Sequence, residues 1–440
     1  MKPSVRCRLL IAFVAIFLVS PTLAQVADSD ATDGTGTNEQ TAEASGSGVG
    51  RVRLFSPTYK PFFSYGAALE SIYILSDTAI SSQNGQGDVL LAPYASINTV
   101  VGRFKILVTS SPTIRYQTLG QTVLRLNGFL DPSFGLGVAL GHRFTLDFGG
   151  GIDYGNDLTH LYGHNAQACN ADCQEAELKP PASPNEVTSP EAAVVRSETG
   201  SVFDARVFSL ARWQLSRRQE LIFRAEHTYI STADISSNNV VSGETEINYG
   251  ITPVSTLIAY SQVHHFFSDR YDCTSYGAGA GLNQRSSQMT RWGIQAGPEY
   301  GSRGCDQRLA LAFSGFVRRE LSRNMALTFS AGRDQGASYI GGDNWTDSAS
   351  VALRKRFSSR SWAELEGIYL HSGKDTSSAL AYSGYLISPT ISLTTNEHVN
   401  LVLAYSHLHS TESRFGKAQP GFDRDWMSLV LAWRSARVSF

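Results

Sequence analysis

A strict alternation of apolar and polar residues is the feature that most constrains this chain. The segment from Arg143 to Tyr154 is the clearest case, because its large apolar side chains fall on one face while Asp147 and Asp153 fall on the other. A period of two is that of a β-strand with one apolar and one polar face. Similar segments, separated by short polar turns, recur almost to the last residue without a helical pattern among them. The sequence therefore predicts an all-β protein.

The first 24 residues predict a secretion signal. Lys2, Arg6 and Arg8 precede an apolar run from Leu9 to Val19, and small residues follow up to Ala24. A charged segment, a short apolar segment and a small-residue cleavage site are typical of a signal peptide, and the run is too short to cross a bilayer as a helix. We expect the mature chain to begin at Gln25.

Residues 25–58 predict a disordered periplasmic tail, because they are rich in Ala, Asp, Gly, Ser and Thr and hold few large apolar side chains. Such a segment cannot bury enough surface to offset the entropy of ordering. It is also too short for the plug domain of a TonB-dependent receptor. The remaining residues, 59–440, are the predicted outer-membrane β-barrel.

From Phe62 onward the alternation divides into about 18 strands, with roughly 14 to 18 as the range, each long enough to cross an outer membrane. The predicted fold is a transmembrane antiparallel up-and-down β-barrel. Short segments such as Ser216–Gln219 and Asn283–Ser286 are the predicted periplasmic turns. The longer predicted external loops are Ser76–Asp88, Gly155–Ser197, Ser268–Thr274, Gly301–Gln307, Gly332–Asn344 and His409–Arg424.

Aromatic residues near the predicted strand ends indicate interfacial girdles, in which amphipathic rings sit at headgroup level. The candidates are Tyr116, Tyr154, Trp213, Tyr229, Tyr249, Trp345 and Tyr369.

One turn recurs closely enough to be an internal repeat, at Leu215–Phe223 and again at Leu321–Phe329. In both, a polar Leu-Ser-Arg turn is followed at once by an alternating strand. This architecture resembles the bacterial putative β-barrel porin families, some of which are encoded alongside exopolysaccharide export systems. The resemblance covers most of residues 60–440, and it transfers no functional residue.

The chain ends on Phe440, preceded by Val438 at an alternating position, which resembles the C-terminal signal read by the barrel-assembly machinery. Two registers of the last strand stay open. One places Val430, Ala432 and Val438 on the lipid face, and the other places Leu429, Leu431 and Trp433 there.

Four cysteines follow the signal peptide, and an even number in an oxidising compartment indicates disulfides. The predicted topology favours pairing Cys169 with Cys173 within one loop and Cys273 with Cys305 between two adjacent external loops. A metal site is the alternative, since His160 and His164 lie near the first pair, but no recognised zinc spacing is present. No metal and no cofactor are expected.

Charged residues on the polar faces are predicted to line the lumen, because a charge facing lipid at mid-bilayer costs about 2–4 kcal/mol. The alternative is a ladder of ion pairs that fills a closed barrel. The predicted lining residues are Arg115, Arg125, Asp147, Arg206, Arg212, Arg224, Glu226, Glu244, Glu246, Arg291, Glu299, Arg318, Arg354, Glu364 and Glu366.

The function predicted from these features is a porin-like outer-membrane channel for hydrophilic solutes. A conduit for exopolysaccharide export is one alternative, and a structural or adhesive barrel that displays disulfide-tied loops is the other. No nucleophile with diagnostic spacing accompanies the strand histidines, so no enzyme activity is expected. The formal net charge of −2 gives no indication of nucleic acid. The expected partners are outer-membrane lipid, the barrel-assembly machinery and, for the export alternative, periplasmic export components.

Overall fold

The fold is known from a computed structural model. It describes residues 62–78, 87–101, 104–110, 113–118, 124–130, 132–139, 143–155, 202–232, 235–268, 271–302, 304–305, 308–337, 343–372, 380–396, 398–414, 417–435 and 438–439. The signal peptide, the N-terminal tail, Cys169, Cys173 and Phe440 lie outside these residues, so the predictions made for them stay predictions.

The described residues contain 21 β-strands. Their bounds are β1 Phe62–Asp77, β2 Gly87–Val101, β3 Phe104–Ser110, β4 Thr113–Thr118, β5 Leu124–Leu130, β6 Pro132–Ala139, β7 Phe144–Gly155, β8 Val202–Gln214, β9 Gln219–Thr232, β10 Ile235–Thr252, β11 Ser255–Ser268, β12 Tyr271–Arg285, β13 Thr290–Gly301, β14 Leu309–Ser322, β15 Met325–Ala337, β16 Asp343–Ser358, β17 Ser361–Ser372, β18 Leu380–Asn396, β19 Val399–Arg414, β20 Lys417–Arg434 and β21 Val438–Ser439. No helix in the described part of the chain is long and apolar enough to cross a membrane.

Strand pairing joins these segments into one closed antiparallel sheet. Three crossings are split in two, because β3 and β4 both pair with β2, β5 and β6 both pair with β7, and β20 and β21 both pair with β1. The 21 segments therefore make 18 crossings in the described part of the chain. Since β1 pairs with β2 on one side and β20 on the other, the first and last crossings meet. The predicted up-and-down barrel is confirmed.

Each described turn at one end of the barrel contains a side-chain hydrogen bond of the same type. After β8, β10, β12, β14, β16 and β18, a Ser, Thr or Asn oxygen accepts from the backbone N–H two residues later, at 2.8–3.3 Å. The accepting residues are Ser216, Thr252, Ser287, Ser322, Ser358 and Asn396. This local bond replaces a ladder bond where the chain reverses.

Each of these turns is also tied to the strand that follows its hairpin. The Gly250 N–H of β10 donates to the Arg218 carbonyl at 2.7 Å, and the Arg434 N–H of β20 donates to the His398 carbonyl at 2.8 Å. Both copies of the Leu-Ser-Arg repeat form such turns. The prediction of a turn at Asn283–Ser286 is wrong by about one turn length, because β12 continues to Arg285 and the turn follows it.

At the opposite end the strands extend into several predicted loops. β19 continues to Arg414 and β20 begins at Lys417, so most of the predicted loop His409–Arg424 is strand. The predicted loops at 268–274 and 332–344 are shortened in the same way. Polar residues on both faces indicated loops, but a hairpin that leaves the hydrocarbon layer can carry polar side chains on both faces and keep its ladder bonds.

The two faces of the sheet differ in polarity as the alternation predicts. Every crossing carries at least one exposed large apolar side chain on its outward face. On β7, Phe148, Ile152 and Tyr154 are exposed on this face, whereas Asp147 is buried on the inward face. Most described girdle candidates are also exposed, but Trp345 is buried, so it is not part of an outward girdle.

The last crossing combines the two registers that the sequence left open. Leu429, Leu431 and Trp433 are exposed on the outward face, and Val430 is buried on the inward face. Val438 pairs with Phe63, which lies on the outward side of β1. The alternation therefore changes phase between β20 and β21, which is why no single register fitted the sequence.

Part of the inner wall is apolar, which the sequence did not indicate. Ala68, Ala92, Tyr94, Val402 and Val430 are buried and pack together on β1, β2, β19 and β20. A second buried group on the same strands consists of Ile72, Leu90, Leu408 and Trp426. The inner wall thus has a mainly apolar sector on these strands, which also contains the buried charged residues Glu70 and Arg424, and a charged sector on β8 to β17.

Candidate functional site: the charged inner wall

The centre of the charged sector is an ion-pair network on β8, β9 and β10. The guanidinium of Arg224 donates to the carboxylate of Glu244 at 2.8 Å and lies 3.8 Å from Glu246. Arg206 on β8 forms an ion pair with Glu226 on β9, the next inward-facing residue after Arg224. Arg224 lies directly opposite Glu244, whereas Arg206 contacts Glu226 diagonally, because Glu226 is opposite Phe208 and Arg206 is opposite Thr228.

Solvent reaches most of this network. The side chains of Arg206, Glu226, Arg224 and Glu244 are 24–28% exposed, whereas Glu246 is only 6% exposed. The amide of Asn248 donates to Glu246 at 2.6 Å and so compensates for the burial of this carboxylate. The network is therefore a hydrated wall with one buried acid at its base.

A second carboxylate site lies further around the wall. Glu299 on β13 is almost fully buried and accepts from the Ser275 hydroxyl at 2.8 Å and from the Gln262 amide at 3.2 Å. These partners come from β12 and β11, which precede β13 in the sheet. These two hydrogen bonds replace the water that the carboxylate oxygens of Glu299 lose on burial.

At the short-turn end the wall carries arginine. Arg354 on β16 lies 3.7 Å from Glu364 on β17 and 4.3 Å above the ring of Trp362. On β12, β13 and β14, Arg285 is opposite Arg291, and Arg291 is opposite Arg318. Arg291 and Arg318 were among the predicted lining residues, whereas Arg285 was not, because only the register of the strands shows that the three are neighbours.

The structure places the predicted lining residues as follows. Arg115 and Arg125 lie on β4 and β5, where the description covers only the backbone. Every other predicted lining residue lies on the inward face by register. These residues are Asp147, Arg206, Arg212, Arg224, Glu226, Glu244, Glu246, Arg291, Glu299, Arg318, Arg354, Glu364 and Glu366.

The cysteine pair that the structure describes is bonded as predicted, but its position differs. Cys273 is joined to Cys305 with a Cα–Cα distance of 4.8 Å. Cys273 lies on strand β12 rather than in a loop, and it faces inward opposite Phe266. The disulfide therefore fastens the β13–β14 connection to the inner wall, and the prediction that it joins two external loops is wrong.

A polar cluster that was not predicted from the sequence lies on the outward face of β19 and β20, toward their outer ends. Asp425 accepts hydrogen bonds from Ser76, Tyr405 and His407 at 2.6–2.7 Å. Next to it, His409 and Asp423 are 2.8 Å apart. The signal in the sequence was two histidines and two aspartates at alternating positions of consecutive strands. Among the residues that the structure describes, no group of His, Cys, Asp and Glu is arranged to hold a metal ion.

The closed sheet, its apolar outward face and its charged inward face define the class of protein. Only helices and closed barrels satisfy all backbone groups in a bilayer, and barrels with short turns at one end are those of bacterial outer membranes. The chain is a transmembrane β-barrel of the bacterial outer membrane.

No protein-family model matches the chain. No curated protein matches it either. Among solved structures, Pseudomonas aeruginosa OccK11 (OpdR) is similar at 10% identity, with 87% of this chain and 99% of that chain covered and a TM-score of 0.45. The siderophore receptor PirA from Acinetobacter baumannii is similar at 8% identity over 86% of this chain and 81% of that chain, with a TM-score of 0.43.

Proposed function

We propose that the barrel is a channel for hydrophilic solutes. The observation that supports this function is the partial exposure of the Arg206, Glu226, Arg224 and Glu244 side chains on the inward face. In a packed core, these ion pairs would be buried away from water. Ion pairs that remain partly hydrated contribute little to the stability of a packed interior. Partly exposed charges on the inside of a closed barrel are what a water-filled path requires.

Ion selectivity in a planar bilayer tests this function. In the Arg224→Ala variant, Glu244 and Glu246 lose their shared cation, so we expect an open channel whose selectivity shifts toward cations. The expected loss of unfolding free energy is about 1–2 kcal/mol, between the values for exposed and buried pairs. The measurements are the reversal potential in a KCl gradient and denaturant unfolding in lipid vesicles.

The matched control is Arg333→Ala. Arg333 forms an ion pair of the same kind with Asp347, at 2.6 Å and 2.8 Å, but on the outward face. This variant should leave selectivity unchanged. A barrel that never conducts, together with a loss of about 3–5 kcal/mol in Arg224→Ala, would contradict the channel and favour a packed ion-pair core. Conduction only in the presence of periplasmic proteins would favour the polysaccharide conduit.

A further inference from the structure

Four outward side chains form an unbroken row across β17, β18, β19 and β20. Tyr369 is directly opposite Tyr385, and Tyr385 is directly opposite His409. His409 is in turn opposite Asp423. The rings of Tyr385 and His409 stack with their centroids 5.3 Å apart and an angle of 28° between their planes. The row crosses three strand spacings, about 14 Å in all, so it is an aromatic strip that ends on a carboxylate.

Every member of this row is accessible from outside the barrel. Tyr369 and Tyr385 are 45% and 39% exposed. The side chains of His409 and Asp423 are 36% and 37% exposed. Aromatic rings at a membrane boundary usually need only an apolar side and a polar side. A contiguous row of rings beside an exposed carboxylate goes beyond that requirement.

The two aspartates of β20 differ in the hydrogen bonds that they can still accept. Asp425 is only 3% exposed, and both of its oxygens are hydrogen-bonded to side chains of β1 and β19. Asp423 contacts His409 through Oδ1 at 2.8 Å, and its Oδ2 has no hydrogen-bond partner within the described part of the chain. Each oxygen of an ionised carboxylate accepts hydrogen bonds. Asp425 therefore ties strands together, whereas Asp423 is free to accept from a ligand.

The height of the row on the barrel wall determines what it meets. Val399 begins β19 at the short-turn end, and His409 is ten residues further along. Each residue of a tilted barrel strand advances about 2.4–2.8 Å along the barrel axis, so ten residues cover about the 25 Å of the outward apolar band. Nearer the short turns, Leu403 and Leu431 are exposed on the same outward face. The row therefore lies where hydrocarbon gives way to lipid headgroups, in the leaflet opposite the short turns.

We propose that this row binds the sugar headgroup of a glycolipid in the outer leaflet of the membrane. Short turns are periplasmic in outer-membrane barrels, and this orientation places the row in that leaflet. The negative faces of the rings attract the C–H groups of a sugar ring, while Asp423 accepts from its hydroxyl groups. The same carboxylate repels a phosphate, so the ligand is a neutral sugar. The site is independent of the proposed channel, because the row faces lipid rather than the lumen.

Lipid retention measured by native mass spectrometry tests the site. The purified full-length barrel is titrated in detergent with diglucosyl diacylglycerol, with phosphatidylglycerol and with diacylglycerol. We expect the barrel to retain the diglucosyl lipid at lower concentrations than the other two. Tyr385→Ala and Asp423→Asn should each lower the apparent affinity for it about tenfold, which is the effect of losing one good contact. Tyr385→Phe keeps the ring and should bind the lipid as the parent does.

The matched control is Tyr300→Ala. Tyr300 is an exposed outward tyrosine of β13, and the residues directly opposite it, Tyr276 and Leu309, are uncharged. This variant should retain the diglucosyl lipid as the parent does, and a mobility shift between heated and unheated samples on gels verifies that each variant is folded.

Three results would overturn the site. One is an equal loss of affinity in Tyr300→Ala and Tyr385→Ala, which would reduce the row to part of a general aromatic girdle. Another is retention of phosphatidylglycerol or diacylglycerol as strong as that of the diglucosyl lipid. The third is a parent oligomer that dissociates in Tyr385→Ala, which would assign the row to a second copy of the barrel. None of these results would affect the channel, which the ion selectivity of Arg224→Ala tests separately.

Discussion

Replacing Ile294 by arginine is expected to lower the free energy of unfolding in a bilayer by about 2–4 kcal/mol. Ile294 lies in the middle of β13, and its side chain is 56% exposed on the outward face. In the membrane this exposed surface meets hydrocarbon, where a guanidinium has neither water nor a counter-charge. The measurement is denaturant unfolding of the barrel folded into lipid vesicles.

The neighbouring residue provides the control. Gln295 faces inward, so Gln295→Arg places the same group on the charged wall, where water is available. This variant should lose less than about 1 kcal/mol, as is usual for an exposed polar position. Equal losses in the two variants would mean that the two faces of β13 do not differ in environment, and the assignment of inside and outside would be wrong.

Removing the Cys273–Cys305 disulfide is expected to cost about 3–4 kcal/mol in the chain-entropy description. The bond closes a loop with a sequence separation of 32 residues, and without it the unfolded chain regains the freedom that the bond removes. Cys305→Ser and Cys273→Ser should have similar effects, since each abolishes the same bond. Denaturant unfolding of each variant, beside the parent with and without reductant, measures the loss.

Peptide mapping under non-reducing conditions gives the independent check. A single disulfide-linked peptide pair that contains Cys273 and Cys305 is the expected result. Reductant should lower the free energy of unfolding of the parent. It should not cause a loss of that size in either serine variant, because the Cys273–Cys305 bond is already absent. A bond from Cys273 or Cys305 to Cys169 or Cys173 would contradict the described arrangement of β12 and the β13–β14 connection.

The fold could be predicted from the sequence wherever the two faces of a strand differ. On β7, Phe148 and Asp147 alternate in polarity, so the sequence alone assigned their faces correctly. On β20, Leu429, Val430 and Leu431 are all apolar, because the strand lies between lipid and the apolar sector of the inner wall. A period of two cannot be detected where both environments favour the same side chains. The neighbouring strands decide the register there.

The candidate site was predictable only residue by residue. Alternation placed Arg291 and Arg318 on the inward face, but their adjacency depends on the register of β13 with β14, which the sequence does not specify. Arg285 was assigned to a turn because it follows polar residues. Likewise, the His409–Asp423 pair lies in a segment whose polarity indicated a loop. Long-range pairing supplies what local pattern lacks.

The pairing of β1 with β20 makes closure the last event that this barrel can complete. The Tyr65 N–H donates to the Ser435 hydroxyl, and these residues are 370 positions apart in the sequence. The other residues that pair between β1 and β20 have similar sequence separations. Until β20 arrives, β1 has one unpaired edge, and an unpaired edge is intolerable in hydrocarbon and prone to aggregate in water. The chain therefore cannot insert strand by strand as it leaves the ribosome. The outer edge of β1 must therefore be kept from water and from other chains until the C-terminal strand is available to pair with it.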